Sequence, residues 1–496
     1  MPRPERERPG HGGEARVPAP HRPRVRAGPR PARRRDLQRH HERRAQHAVL
    51  SEADPGQGPV GDRHVGARAA AQPARAHRRR ARGPAGQHRE GERNSMKSHG
   101  SALAEDAKVL DPAVAKRLVS GSMVLAIVGV VLSAAAAVSD AKRFAFSYLT
   151  GFTWLVTIGL GALFFVIIQH LTRARWSAAA RRHMEWMSGI LPACIVLFLP
   201  VAVLAHDIYH HWMGPDAAND HVLHQKAPYL NPTFFYIRAV VFLAAWAGLA
   251  LWFIKTSRAQ DKSADFRPTA RMRAGAAPAV IVFALTISFA AFDWLMSIDP
   301  HWYSTIFGVY VFAGSATSSL SALALITIAL HKAGLLRKVS NVERQHDIGK
   351  LLFGFTIFWA YIAFSQFILI WYANIPEETI FYQHRWEGSW KVVSLALLFG
   401  HFVVPFLVLL SRHAKRSPLV LGAASVLLLV MHYVDLYWLV MPNVDHHGAH
   451  LSWIDLAGLL GPLGVGAWML ALQAAKSPLY PLNDPHLAEA ARIDNP

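Results

Sequence analysis

Apolar residues gather along this chain in ten long blocks, at 119–138, 148–170, 187–206, 234–254, 277–297, 305–330, 350–373, 390–410, 419–440 and 454–473. Each block is close to the roughly 20 residues that an α-helix needs to cross about 30 Å of hydrocarbon. A bilayer cannot hydrogen-bond to an open backbone, so each block predicts a helix, and each charged residue left inside one requires a reason for being there. The predicted fold class is all-α integral membrane, with ten transmembrane helices over 119–473, a polar segment at 96–118 and a polar tail at 474–496.

The loops check the helix count. Those after the second, fourth, sixth and eighth blocks hold 18 Lys and Arg, within Arg173–Arg182, Lys255–Arg273, Lys332–Lys350 and Arg412–Arg416. The alternate loops hold 5: Lys142, Arg143, Lys226, Arg385 and Lys391. One missed or invented span would scramble this alternation. The richer side is predicted to be cytoplasmic, and both termini lie with it.

Composition separates residues 1–95 from the rest. They hold 23 Arg, 10 acids and no Lys, Phe, Trp, Tyr, Ile or Cys, and supply +13 of the formal charge of +20. Such a stretch can neither build a core nor cross a membrane. An Arg-rich tail for nucleic acid or acidic lipid would be expected to show aromatic interleaving or a helical period, and a transit peptide would be Ser-rich and poor in acids. The favoured expectation is translated upstream DNA with the start at Met96, so membrane lipid is an expected partner and nucleic acid is not.

The single cysteine, Cys194, excludes a disulfide, an iron-sulfur cluster of the chain's own and a C-x-x-C-H haem attachment. If the chain serves electron transfer, the redox centres belong to partner chains or to a bound quinone.

Polar residues at membrane depth are therefore the candidates for function. The third block ends in Leu204-Ala205-His206-Asp207-Ile208-Tyr209-His210-His211-Trp212, and the fifth in Phe292-Asp293-Trp294-Leu295-Met296-Ser297-Ile298-Asp299-Pro300. The ninth holds Met431-His432-Tyr433-Val434-Asp435-Leu436-Tyr437-Trp438, with His and Asp three apart on one helix face, and Arg238 lies about one turn into the fourth. These residues are predicted to share one depth band near the outer side, because a buried carboxylate is expected to find cationic or polar partners. Asp293, Asp435 and His432 are the candidate proton-exchanging residues. His206, Asp207, Arg238, Trp294 and Tyr433 are candidates for the surrounding quinol or proton cluster, whereas Asp299, His210 and His211 read as headgroup-region residues.

Weaker candidates are weighed alongside. His401 and His432 as a bis-His b-haem pair would sit about two turns apart in depth, which disfavours that reading. The run Asp445-His446-His447-Gly448-Ala449-His450 resembles a metal loop less than an exposed contact surface, and no metal is expected. Ser315, Thr317, Ser318, Ser319 and Ser321, with Ser365 and Gln366, line either a hydrated path or a close helix contact.

The string Asp293-Trp294-Leu295-Met296-Ser297-Ile298-Asp299-Pro300-His301-Trp302-Tyr303-Ser304-Thr305, His432 with Asp435, and the ten-helix layout together resemble the smaller polysulfide-reductase-like (NrfD-like) membrane subunit of bacterial alternative complex III, of the quinone-binding subunit 2 type. The resemblance covers residues 96–480. It implies two four-helix bundles, from the second to fifth and the sixth to ninth spans, plus one flanking helix at each end. It also implies a place in the bacterial inner membrane within a multi-subunit complex that holds c-haem, iron-sulfur and a sister NrfD-like subunit and oxidises menaquinol or ubiquinol. Two further classes stay open: an assembly scaffold of the same complex, and a proton-coupled secondary transporter, whose site would be expected on broken helices near the midplane.

Overall fold

The computed structural model describes residues 109–492 apart from 264, 337–341 and 447; the Arg-rich stretch, the start at Met96 and His447 lie outside the described residues. Ten long apolar helices cross the molecule: α1 Pro112–Ser139, α2 Ala141–Leu171, α3 Ala178–Val203, α4 Pro232–Asp261, α5 Arg267–Ile298, α6 Phe307–Lys332, α7 Val342–Ala373, α8 Trp390–Leu410, α9 Pro418–Asn443 and α10 Trp453–Ala475. The chain is an all-α, multi-pass membrane protein, with no strand among the described residues.

Every apolar block forms one of these helices, and several helices outrun their block. α5 begins at Arg267 and α7 at Val342, well ahead of the apolar residues at 277 and 350. Hydropathy marks only the apolar stretch of a helix, and helix geometry continues into the polar loops; α5 starts without a side-chain cap, whereas other helices start on one. Asp111 accepts from the amides of Ala113 and Val114 ahead of Pro112, Asn231 from Phe234 ahead of Pro232, and Ser417 from Val420 ahead of Pro418. In each, the proline occupies the first turn, where its missing N–H costs nothing. α10 starts on a reciprocal box between Ser452 and Asp455.

Interior prolines break the regularity elsewhere. In α3 the helix stops after Ser188, restarts at Leu191, and is interrupted again at Phe198. Pro192 and Pro200 cannot donate to the carbonyls of Ser188 and Val196, four residues back. In α8 the segment Leu397–Val403 winds as a π-helix. Pro405 lies four residues after His401, so the His401 carbonyl loses its α-helical donor and the wider turn relieves the clash with the proline ring.

The helices assemble as two closed rings. α2 packs on α3, α3 on α4, α4 on α5 and α5 back on α2; α6 packs on α7, α7 on α8, α8 on α9 and α9 back on α6. α2 and α6 form the seam between the bundles, where Gly161 lies so close to the Ser315 carbonyl that any side chain would collide with it. α1 and α10 pair with each other and lean on α2 through small residues of α10, among them Gly458. α2 is thus the most buried span, while α1, α7 and α8 expose most of their apolar surface, as lipid-facing helices do.

The two faces carry different chemistry. On the Arg-rich face, Arg182 bonds Asp261 at 2.7 and 2.8 Å, Arg181 pairs with Glu185 and Asp484, and Arg175 with Glu489. Leu482 N–H bonds Asp261, and Asn483 bonds the carbonyls of Gln260 and Asp261, so the segment after α10 is laced onto the ends of α3 and α4. On the opposite face, Arg143 ties α2 to Asp445 at 2.9 Å and to Asp455 at 2.7 Å.

Candidate functional site

Asp293 and Asp435 occupy different bundles and have opposite surroundings. Asp293, fully buried near the end of α5, receives Arg238 Nε at 2.6 Å and Nη2 at 3.1 Å. The same guanidinium donates to the Tyr229 carbonyl at 2.8 Å and lies over the rings of Tyr229 and Phe234, 3.9 and 4.2 Å from their centroids. This is a bidentate, charge-compensated pair joining α4 to α5. Trp294 beside it packs among Phe198, Phe152 and Trp246 at centroid distances of 5.0, 5.7 and 5.5 Å and serves the core of the first bundle.

The expected membership of this cluster narrows. His206 and Asp207 are exposed on the short helix Ala205–Ile208, because the breaks in α3 end the long helix at Val203 and turn the chain outward. Tyr433 donates its hydroxyl to the Asp455 carbonyl at 3.2 Å and joins α9 to α10. Asp445 is taken up by Arg143, and His450 Nδ1 lies 2.8 Å from the Gly448 carbonyl.

Asp435, buried in α9, has no such cation in hydrogen-bonding contact. Tyr310 from α6 donates its hydroxyl to Oδ1, and Trp359 from α7 donates its indole N–H to Oδ2 at 3.1 Å. Both donors are neutral. One turn deeper, the His432 Nε2 meets the Thr157 hydroxyl of α2 at 2.9 Å, while its Nδ1 has no hydrogen-bond partner. The Cε1–Nδ1 edge of the ring lies close against Gly314 of α6, where a Cβ would stand 2.8 Å from the imidazole Cε1, which leaves no room for a macrocycle on that side.

His401 completes the group. It sits in the π-helical turn of α8, fully buried, with its ring 3.8 Å from that of Trp359 and both nitrogens without a hydrogen-bond partner. The depth difference expected between His401 and His432 is not found. Each lies eleven residues from the end of its helix at the same face, Trp390 for α8 and Asn443 for α9. Apolar blocks locate a helix end to within a turn or two, and that uncertainty was as large as the inferred offset.

The buried hydroxyls of α6 mostly bond carbonyls of their own helix: Ser315 to Val311, Thr317 to Ala313 and Ser321 to Thr317, at 2.8 to 2.9 Å. They serve close packing. Gln366 accepts from Ser304 at 2.9 Å and donates to Tyr382.

Several residues of the site carried no warning in the sequence. Tyr310, Trp359 and Thr157 look like ordinary aromatic or hydroxyl residues of a span, and only the folded chain aims them at Asp435 and His432. His401 did leave a sign, the proline four residues on. Arg385 reads as a loop cation yet is buried at the end of α9, where it bonds the carbonyls of Trp438, Leu439 and Phe381 and lies 3.5 Å over the Phe381 ring. Burial pulls its pKa below the usual guanidinium range, although arginine stays protonated at working pH. A pocket of about 10 Å³ beside it, lined by Leu295, Met296, Trp302, Phe307 and Phe381 among others, has room for about one water and none for a quinone ring.

No family model matches the chain, and no curated protein matches it either.

Proposed function

We propose that this chain is the NrfD-like membrane subunit of a bacterial quinol oxidoreductase of the alternative complex III type, and that its own contribution is a proton-handling site in the second bundle. The observation that carries this reading is the carboxylate of Asp435, buried, held by two neutral donors and set beside two buried histidines with three unpaired nitrogens. A carboxylate paired with a cation is fixed in its charged form; one held by neutral donors can take up and release a proton. Tyr310 and Trp359 orient it, and Thr157 holds His432 in place.

The pocket near Arg385 is too small for a quinone ring and does not serve as the quinol site. Redox chemistry would come from the c-haem and iron-sulfur partner subunits and the sister membrane subunit, with menaquinol or ubiquinol as reductant. The Arg-rich face would be cytoplasmic, with both termini on it, and the membrane the bacterial inner membrane. A scaffold role draws support from the fully compensated Arg238–Asp293 pair, which does structural work.

Purification under mild detergent tests the assembly: the chain is expected to bring c-haem and iron-sulfur absorbance with it, and a chain that purifies alone while transporting a solute defeats the proposal. Within the assembled complex, Asp435→Asn is expected to lower proton movement per quinol by at least about tenfold, the scale of lost acid-base function. Parental turnover with parental proton movement would leave the scaffold reading.

A further inference from the structure

A carboxylate at the edge and an imidazole on the face of one indole form a unit that the candidate site alone does not explain. Trp359 donates its edge N–H to Asp435 at 3.1 Å and offers its face to His401 at 3.8 Å, with the two ring planes 31° apart. Leaving a buried donor or acceptor unpaired costs about 1–3 kcal/mol, and His401 leaves two ring nitrogens without partners. That arrangement persists only if something compensates it. An imidazolium over an indole face is attracted by the ring quadrupole, and the carboxylate at the indole N–H draws positive charge to the same place.

We propose that Asp435 and His401 hold one proton between them across Trp359, the neutral acid with neutral imidazole exchanging with the carboxylate and imidazolium, and that the π-turn made by Pro405 is what sets His401 there. The net charge of the unit is the same in both states, so neither leaves an uncompensated charge in the bundle. Between the two states the O–H bond of the acid is broken and an N–H bond of the imidazole is formed, with no electrons moved; the indole, a donor only, orients the carboxyl and does not itself relay the proton. The pairing deepens the proposed proton-handling role of Asp435, but its test needs neither quinol nor partner subunits.

The other titratable and charged groups around the unit are few. α6 contributes Tyr310, which donates to Asp435; α9 contributes His432, which is held by Thr157 of α2; and α7 contributes the non-titrating Trp359. Beyond Tyr310 stand Tyr382, whose hydroxyl burial pushes up to about 12, and the protonated Arg385. Of these, His432 is the one whose titration competes, so it serves as the control.

Infrared pH-difference spectroscopy of the full chain in lipid, with ring-labelled histidine, reads the proton directly. The exchange itself is independent of pH, but loss of the shared proton at higher pH empties both states at once, so in the parental protein a carboxyl band that disappears in Asp435→Asn and an imidazole band that disappears in His401→Phe are expected to change in the same pH interval. Each band is expected to leave that interval, by at least about one pH unit, when the other residue is replaced. His401→Gln, which keeps a polar side chain that cannot titrate, should act as His401→Phe does and covers a packing failure of the phenylalanine variant. His432→Gln should leave the two bands together. If each band keeps its interval in the other's variants, or if the carboxyl band follows His432 instead, the shared proton is refuted. Parental turnover and proton movement in the Asp435→Asn complex, with the two bands coupled in the parental protein, would instead count against the role in the complex and leave the shared proton standing.

Discussion

The indole N–H of Trp359 ends on the carboxylate of Asp435 at 3.1 Å, and the other oxygen of that carboxylate receives the hydroxyl of Tyr310. Asp293, toward the Arg-poor end of the first bundle, receives a guanidinium through two bonds of 2.6 and 3.1 Å. The same residue type is thus placed in two electrostatic settings within one chain. In the first bundle the carboxylate meets a guanidinium, a permanent counter-charge; in the second it meets two neutral donors. Substitution separates the two.

Asp293→Asn removes one half of a buried ion pair and strands Arg238 among the rings of Tyr229 and Phe234. Breaking a buried pair from one side costs about 3–5 kcal/mol, so this variant is expected to lose thermal stability and yield. Replacing both residues, Arg238→Met with Asp293→Leu, should recover most of that loss. Melting curves in detergent check both outcomes, and a stable Asp293→Asn protein with reduced proton movement would return Asp293 to the functional site.

Asp435→Asn keeps the shape of the side chain and can still accept from Tyr310 or Trp359. The protein is expected to fold and assemble with little change in melting temperature, while proton movement falls as stated above. A destabilised Asp435→Asn protein would mean that the carboxylate is an anchor for α6 and α7 and not a proton site.

The pattern of blocks and loops made the ten helices legible because hydropathy and charge alternation are long-range averages that no single residue can spoil. The pairing of Arg238 with Asp293 was legible for a similar reason, since a buried carboxylate demands a partner and few cations lie at that depth. That Asp435 meets only neutral donors was not, because depth along a helix says nothing about which neighbour a side chain faces. His206 and Asp207 fell on the exposed side for a local reason, the two prolines of α3, whose effect on direction no periodicity reports. Trp359 and Tyr310 were hidden because aromatic residues are common at every depth of a span.

Pro405→Ala restores the missing N–H four residues after His401 and allows the α-helical bond to re-form. An extra residue absorbed in the π-turn is then expelled, which rotates the segment before it by about 100° per residue on helical geometry. His401 should leave the Trp359 face. The expected readout is altered quenching of Trp359 fluorescence, measured in a chain where other tryptophans near α8 are replaced, with the fold retained. Unchanged quenching would mean that packing around His401, not the proline, sets the turn.

The tail segment gives a pH prediction. Although burial opposes it, the Arg181 guanidinium holds the Asp484 carboxyl below its ordinary range. A carboxyl depressed on folding stabilises the docked state fully above its unfolded pKa of about 3.9, and that contribution is lost as pH falls through the lower docked value. Docking of residues 477–492 should therefore be unaffected between neutral pH and about 5 through this group, and weaken only in stronger acid. Asp484→Asn should undock the tail at neutral pH, raising hydrogen exchange at Leu482 and Asn483, whose bonds to Asp261 and Gln260 depend on it. Protection that persists in the variant would assign the latch to Arg175 and Glu489.

Orientation of the whole molecule is the last prediction. The face joining α2 to α3, α4 to α5 and α8 to α9 carries the arginines, and cationic loops are retained on the cytoplasmic side. The loop holding Asn219, between α3 and α4, is then periplasmic, and the loop holding Ser263, between α4 and α5, cytoplasmic. Asn219 is exposed, so a cysteine there should react with a membrane-impermeant maleimide added to intact cells, whereas one at Ser263 should react only after lysis. Cys194 is fully buried and should remain silent in both, which lets the single wild-type thiol stay in place. The reverse labelling pattern would invert the molecule and put Asp435 and His401, eight and eleven residues in from the Asn219 face, nearer the cytoplasm; protons released by the site would then have to leave on that side.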